Sequence, residues 1–155
     1  MPTHVTSNKA APISADTEHC GLAANDAVNP SIPSLGEWLT QPNDSRLRVT
    51  TADDIGPLEG LIPSINYVEV DFLDPNDGRG FTLGRQLRDM GFTGEQRATG
   101  AYAEDQLQYL HRCGFDSFLL PPKIDTETAS ELLRGISVTL QPSTFSERKV
   151  IFNER

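Results

Sequence analysis

The chain has 155 residues, enough for one domain with a substantial core, and its formal net charge of −9 argues against a nucleic-acid backbone or an anionic membrane as partner. No stretch approaches the ~18 consecutive apolar residues of a membrane-spanning helix, and the amino-terminal residues lack the basic and apolar regions of a secretory signal. Cys20 and Cys113 form neither a disulfide framework nor a paired metal spacing, so the expected location is the cytoplasm.

Residues 1–31 are rich in Ser, Thr, Asn, Ala and Pro and show no periodicity. Such a segment cannot bury enough apolar area to offset its ordering entropy, which predicts a disordered tail. The tail contains His4, His19 and Cys20, read as exposed residues without a role. An α/β domain is expected over residues 32–141, followed by a C-terminal extension over 142–155.

The domain opens with Ile32, Leu35, Trp38 and Leu39 at helical spacing, then Leu47–Thr50 as a short strand. Asp53 and Asp54 are placed to cap a brief helix with Ile55, Leu58, Leu61 and Ile62 inward, ended by Pro63. The clearest strand is Ile65–Phe72, whose near-continuous apolar character suits a strand covered on both faces. Thr82 is the expected cap of a helix burying Leu83, Leu87 and Met90, which assigns Arg88 to its outer face. Gln96–Thr99 reads as a strand between Gly94 and Gly100. Ala103, Leu107 and Leu110 line a helix that stops at Cys113, with Gly114 in the left-handed position past its end. Phe115–Leu120 is a buried strand cut by Pro121 and Pro122. Asp125 or Thr126 caps a last helix burying Ala129, Leu132, Leu133 and Ile136, and Ser137–Gln141 closes the sheet. This alternation predicts a single compact α/β domain with a mostly parallel sheet and right-handed crossovers.

Open α/β sheets place ligands at their carboxyl edge, which directs attention to Asp77-Gly78-Arg79-Gly80. The two glycines let backbone N–H groups approach an anion, such as phosphate, sulfate, sulfite or a carboxylate, while Arg79 clamps it. The alternative is a tight strand-to-helix turn with Arg79 paired to Asp77 or Asp71. The block matches neither the phosphate-binding loop nor the three-glycine dinucleotide fingerprint. Arg97 and Arg112 can converge with Arg79 on that edge, or can serve to neutralise Asp71 and Glu95. Asp105 and Gln106 can orient a ligand or a water, although Asp105 in a first helical turn also favours the helix dipole. Cys113 is expected to pack as a small apolar side chain, and His111 to face solvent. No attachment for haem, an iron–sulfur cluster or a flavin is legible and no metal cluster can be assembled, so no cofactor is expected.

An ordered series of short blocks carries a family resemblance: Asp71-Phe72, then Asp77-Gly78-Arg79-Gly80-Phe81-Thr82, then Leu87-Arg88. It continues with Gly94-Glu95-Gln96-Arg97-Ala98, Asp105-Gln106 and Arg112-Cys113-Gly114-Phe115-Asp116. Over about residues 32–141 the chain resembles the bacterial domain-of-unknown-function 934 family. Members of that family are typically encoded beside an assimilatory sulfite or nitrite reductase haemoprotein and an adenylyl-sulfate reductase, and are often called probable oxidoreductases. The resemblance therefore implies a role in cysteine biosynthesis. The chain departs from the family pattern at Leu73, Ala101 and Glu104, where relatives commonly carry proline, aspartate and arginine.

The resulting expectation is an accessory or docking protein of sulfite reduction, with sulfite reductase haemoprotein or adenylyl-sulfate reductase as partner. Asp77, Gly78, Arg79, Gly80, Arg97, Asp105 and Gln106 would form its recognition surface. The competing expectation is an enzyme acting on a small sulfur- or phosphate-bearing substrate with the same residues. A pocket gathering Arg79, Arg97 and Asp105 would favour the enzyme, and the same residues pinned in ion pairs would favour docking.

Overall fold

The computed structural model describes residues 31–134, together with the backbone of residues 21–24. Strand β1 (Gly21–Ala24) is followed by helix α1 (Leu35–Thr40), strands β2 (Arg46–Thr50) and β3 (Tyr67–Phe72), and helix α2 (Arg79–Asp89). Strand β4 (Glu95–Gly100), helix α3 (Leu107–Arg112), strand β5 (Ser117–Leu120) and helix α4 (Thr126–Arg134) complete the described chain. The five strands form one sheet in the order β1-β5-β4-β3-β2, and every neighbouring pair is parallel.

Two expectations about the strands need correction. Gly21–Ala24, assigned by composition to a tail, forms an edge strand beside β5. Small residues give no periodic signal, yet β5 supplies the backbone partners that make them a strand. The second concerns β3. No β3 residue is exposed, so both faces are covered, but only one is apolar: Val68, Val70 and Phe72 lie on it, while Tyr67, the buried Glu69 and Asp71 alternate onto the other. Register carries that polar face across the sheet, through Arg46 and Arg48 on β2, Arg97 on β4 and Ser117 on β5.

The walk β2-β3-β4-β5 moves one strand at a time in one direction, so right-handed connections place α2 and α3 on the same side. That side holds the core: Val68, Val70, Phe72, Ala98 and Phe118 from the strands meet Leu83, Leu87, Leu107 and Leu110 from the helices. Gly80 allows the approach, since a Cβ there would collide with the Phe72 ring. Helix α2 begins at Arg79 without a side-chain cap, so Thr82 lies inside the helix. Gly114 has φ +106° and ends the α3 turn as expected.

Elsewhere local chemistry sets the boundaries. Ser34 and Glu37 form a reciprocal capping box at α1, and Trp38, fully buried, donates from Nε1 to the Asp44 carbonyl at 2.6 Å. Asp53 caps backward, accepting from Thr50 N at 2.7 Å, and Asp54 accepts from Gly56 N at 2.9 Å. In place of one helix there are two 3-10 turns, Gly56–Leu58 and Ile62–Ser64, the second containing Pro63. Asp125 caps α4 by accepting from Thr128 N at 2.8 Å. Ile136 and the forecast strand Ser137–Gln141 lie outside the described residues.

Candidate functional site

At the carboxyl edge, Arg79 pairs with its neighbour Asp77 through one edge of its guanidinium, while its side chain stays 64% exposed. Its Nη2 lies 2.7 Å from Asp77 Oδ2 and its Nε 2.9 Å from Asp77 Oδ1, while its backbone N–H also donates to Asp77 Oδ1 at 3.1 Å. The Arg79 guanidinium, followed by its backbone N–H, holds the Asp77 carboxyl well below the usual carboxylate range. Gly78 has nothing within 4 Å of the position a Cβ would take, whereas Gly80 is required by packing. Gln106 ties the β3–α2 loop to the β4–α3 loop: its Nε2 donates to the Pro75 carbonyl at 3.1 Å, and its Oε1 accepts from Ala103 N at 3.0 Å. Asp105 is exposed in the first turn before α3, beside Glu104.

Arg97 does not join this group. It is the third residue of β4, in register with Glu69 and Ser117, about 10 Å from the strand's carboxyl end at ~3.3 Å per residue. It projects onto the polar face, where it meets Glu95 at 2.9 Å, donates to Ser117 Oγ at 3.0 Å and stands 5.5 Å over the Tyr67 ring. Glu69 on the same face is buried, held by Arg48 at 2.8 Å and by the Tyr67 hydroxyl at 3.2 Å. Burial, above all, pushes the Tyr67 hydroxyl far up. Arg112 ends α3, a helix running against the strands, and so belongs to the opposite edge.

Two residues that sequence assigned to the outside turn inward. Arg88 donates to the carbonyls of Phe92, Gly94 and Gly114 and pairs with Asp116, fastening the ends of α2 and α3 to the starts of β4 and β5. Asp116 also accepts from Gln96 N at 2.9 Å, and burial pushes its carboxyl up despite the Arg88 charge. His111 is half-buried, with Nδ1 3.1 Å from the Phe115 carbonyl. The long arginine-to-carbonyl separations, up to 26 residues to Gly114, leave no periodic signal.

The outer side of the helix layer contains a feature with no sequence signal. A groove of about 640 Å³ lies between α2 and α3, lined by Phe81, Thr82, Arg85, Gln86, Tyr109 and Cys113, with Gly78 and Asp89 at its ends. The Phe81 and Tyr109 rings meet at 5.0 Å and 45°, wedging the helices apart. Tyr109 remains 54% exposed. Cys113 is buried at the floor, and that burial pushes its thiol up, contrary to a reactive thiolate. Among the described residues no cluster of three or more potential metal ligands occurs, and no helix is long and apolar enough to cross a membrane.

The model of the family described as "Bacterial protein of unknown function (DUF934)" matches residues 47–151. The chain belongs to this family. Comparison with curated proteins finds no relative. The DUF934 match spans β2 to α4 and continues past residue 141, where the resemblance in the sequence blocks stopped. Within it, the hallmark glycines and Arg88 acquire structural duties: Gly80 sets the α2–sheet distance, Gly114 turns the chain, and Arg88 locks the opposite edge.

Proposed function

We propose that this DUF934 protein acts as a docking or accessory component, engaging a partner protein through the carboxyl edge of its sheet. In the setting that the family resemblance implies, that partner is the sulfite reductase haemoprotein or adenylyl-sulfate reductase of cysteine biosynthesis. The observation that carries the proposal is the state of Arg79, whose charge is already matched by Asp77 along its Nε–Nη2 edge. An incoming small oxyanion would meet a charge-matched pair with a carboxylate beside it, and Arg97 is too distant to add a second positive charge. A crevice at the carboxyl edge opens where adjacent connections pass to opposite faces of a sheet, and the connections after β3 and β4, which bracket Arg79, pass to the same face.

The charge of the rim favours a basic partner surface over an anion. Apart from the paired Asp77 and Arg79, exposed Asp54, Asp74, Glu104 and Asp105 stand against Lys123, with Leu73 57% exposed among them. Exposed like charges of this kind steer a positive surface and repel a negative ligand. Gln106 holds the two principal loops together, presenting them as one preformed surface.

The test is capture of the purified sulfite reductase haemoprotein, and separately of adenylyl-sulfate reductase, on the immobilised chain. Reversing charge at Asp74, Glu104 and Asp105 is expected to abolish capture while the fold, read by circular dichroism, stays intact. Cys113→Ala is expected to capture normally. Undiminished capture by the charge-reversed protein, or none of either reductase by the original, would overturn the proposal.

A further inference from the structure

We infer that the groove between α2 and α3 is a binding site for an aromatic monocarboxylate. Its volume of about 640 Å³ falls within the roughly 300–1,000 Å³ of pockets that hold small organic ligands. The Tyr109 ring is half-exposed and braced by Phe81, which is itself held edge-on by Phe72 at 5.6 Å. A rigid, partly wet aromatic pair is a stacking platform for a planar ring.

Arg85 supplies the complementary charge. Arg46, Arg48, Arg79, Arg88 and Arg97 all donate hydrogen bonds to named acceptors. Arg85 lines the groove with its side chain 49% exposed, 3.7 Å from Asp89 one turn on, and makes no hydrogen bond among the described residues. An exposed pair at that spacing is weak, so the guanidinium fork can turn to a carboxylate lying along the groove. Thr82 and Gln86 add a hydroxyl and an amide on the same wall.

The charge of the ligand follows from the lining. Arg85 is the one cation among the lining residues and Asp89 the one anion, so a monocarboxylate leaves one negative charge in excess and a phosphate dianion two, which favours the smaller charge. An inorganic oxyanion would leave the aromatic platform unused. The ligand is therefore a ring bearing one carboxylate, whether a free metabolite or the C-terminal aromatic residue of a peptide. The groove meets the docking rim at Gly78, but Arg85 and Tyr109 are not rim residues, so Arg85→Gln is expected to leave the rim intact.

The test titrates the isotopically labelled full chain with benzoate, phenylacetate and naphthoate, followed by nuclear magnetic resonance. Phenylacetamide keeps a ring without charge, acetate keeps the charge without a ring, and inorganic phosphate is the dianion. At least one aromatic carboxylate is expected to shift the Arg85 side-chain and Tyr109 resonances saturably, with a dissociation constant in the millimolar range or below, about the strength a ligand of this size allows. Each control is expected to bind at least about tenfold more weakly, acetate and phosphate for want of the ring and phenylacetamide for want of the charge, as is that carboxylate to Arg85→Gln, where the charge-assisted fork is lost. A tetrapeptide ending in phenylalanine that binds more tightly than the free acid would place the ligand on a protein terminus, and one that binds more weakly would make it a small molecule. Absence of saturable shifts with all three acids, equal binding of acetate or phenylacetamide, or unchanged affinity in a folded Arg85→Gln protein would overturn the inference.

Discussion

Gly78 and Gly80 stand two positions apart in one motif, yet only one has a structural reason to be glycine. The position of a Gly78 Cβ is open space and its φ is −67°, whereas a Cβ on Gly80 would enter the Phe72 ring. Gly80→Ala is expected to cost about 1–3 kcal/mol through overpacking, and Gly78→Ala to change stability by no more than about 0.5 kcal/mol, both read from urea denaturation. Arg88 offers a second contrast with its sequence-level assignment. Arg88→Lys keeps a charge but removes the planar fork that serves three carbonyls and Asp116, so a loss of about 2 kcal/mol is expected on the same assay. Asp77 provides the pH signature. Its carboxyl is lowered by Arg79 in the folded state, so its contribution is present above the ordinary value of 3.8 and fades as pH falls below it. The melting-temperature gap between the natural protein and Asp77→Asn, open at neutral pH, is expected to close on acidification.

At the scale of elements, the strands differ in how they are specified. Strand β3 alternates Tyr67, Glu69 and Asp71 with Val68, Val70 and Phe72, and its apolar residues alone were enough to mark it as a strand. Its polar residues marked something further, a sheet face that carries charge, bound by the Arg48–Glu69 and Arg97–Glu95 pairs. Strand β1 has no such pattern and exists through its register with Ser117–Leu120. Deleting residues 1–24 is therefore expected to lower the melting temperature more than deleting residues 1–20, by roughly 4 °C or more for the loss of an edge strand. Equal melting temperatures would show that β1 contributes no stability to the sheet.

For the whole molecule, a net charge of −9 and an acidic rim would give the proposed docking a long-range electrostatic character. Raising salt from about 0.05 to about 0.5 M shortens the screening length below the span of the rim. The association rate with a captured reductase is expected to fall by about tenfold or more, while the dissociation rate changes little. A salt-independent association rate would place the contact on an uncharged surface instead.

The sequence by itself determined the class of this fold, because alternating strand and helix patterns with short connections permit little else than a parallel α/β sheet. It also marked the Asp77–Arg79 turn, whose ion pair is local and spans two residues. The reach of Arg88 to Gly114, the pairing of β1 with β5 and the separation of Arg97 from Arg79 were decided only by tertiary structure. So was the groove behind Phe81 and Tyr109, which are 28 positions apart (109 − 81) and meet because their helices lie side by side on one sheet. Local patterns record which residues share an element and a face; which faces then meet depends on strand order and register, and neither leaves a trace within a single segment.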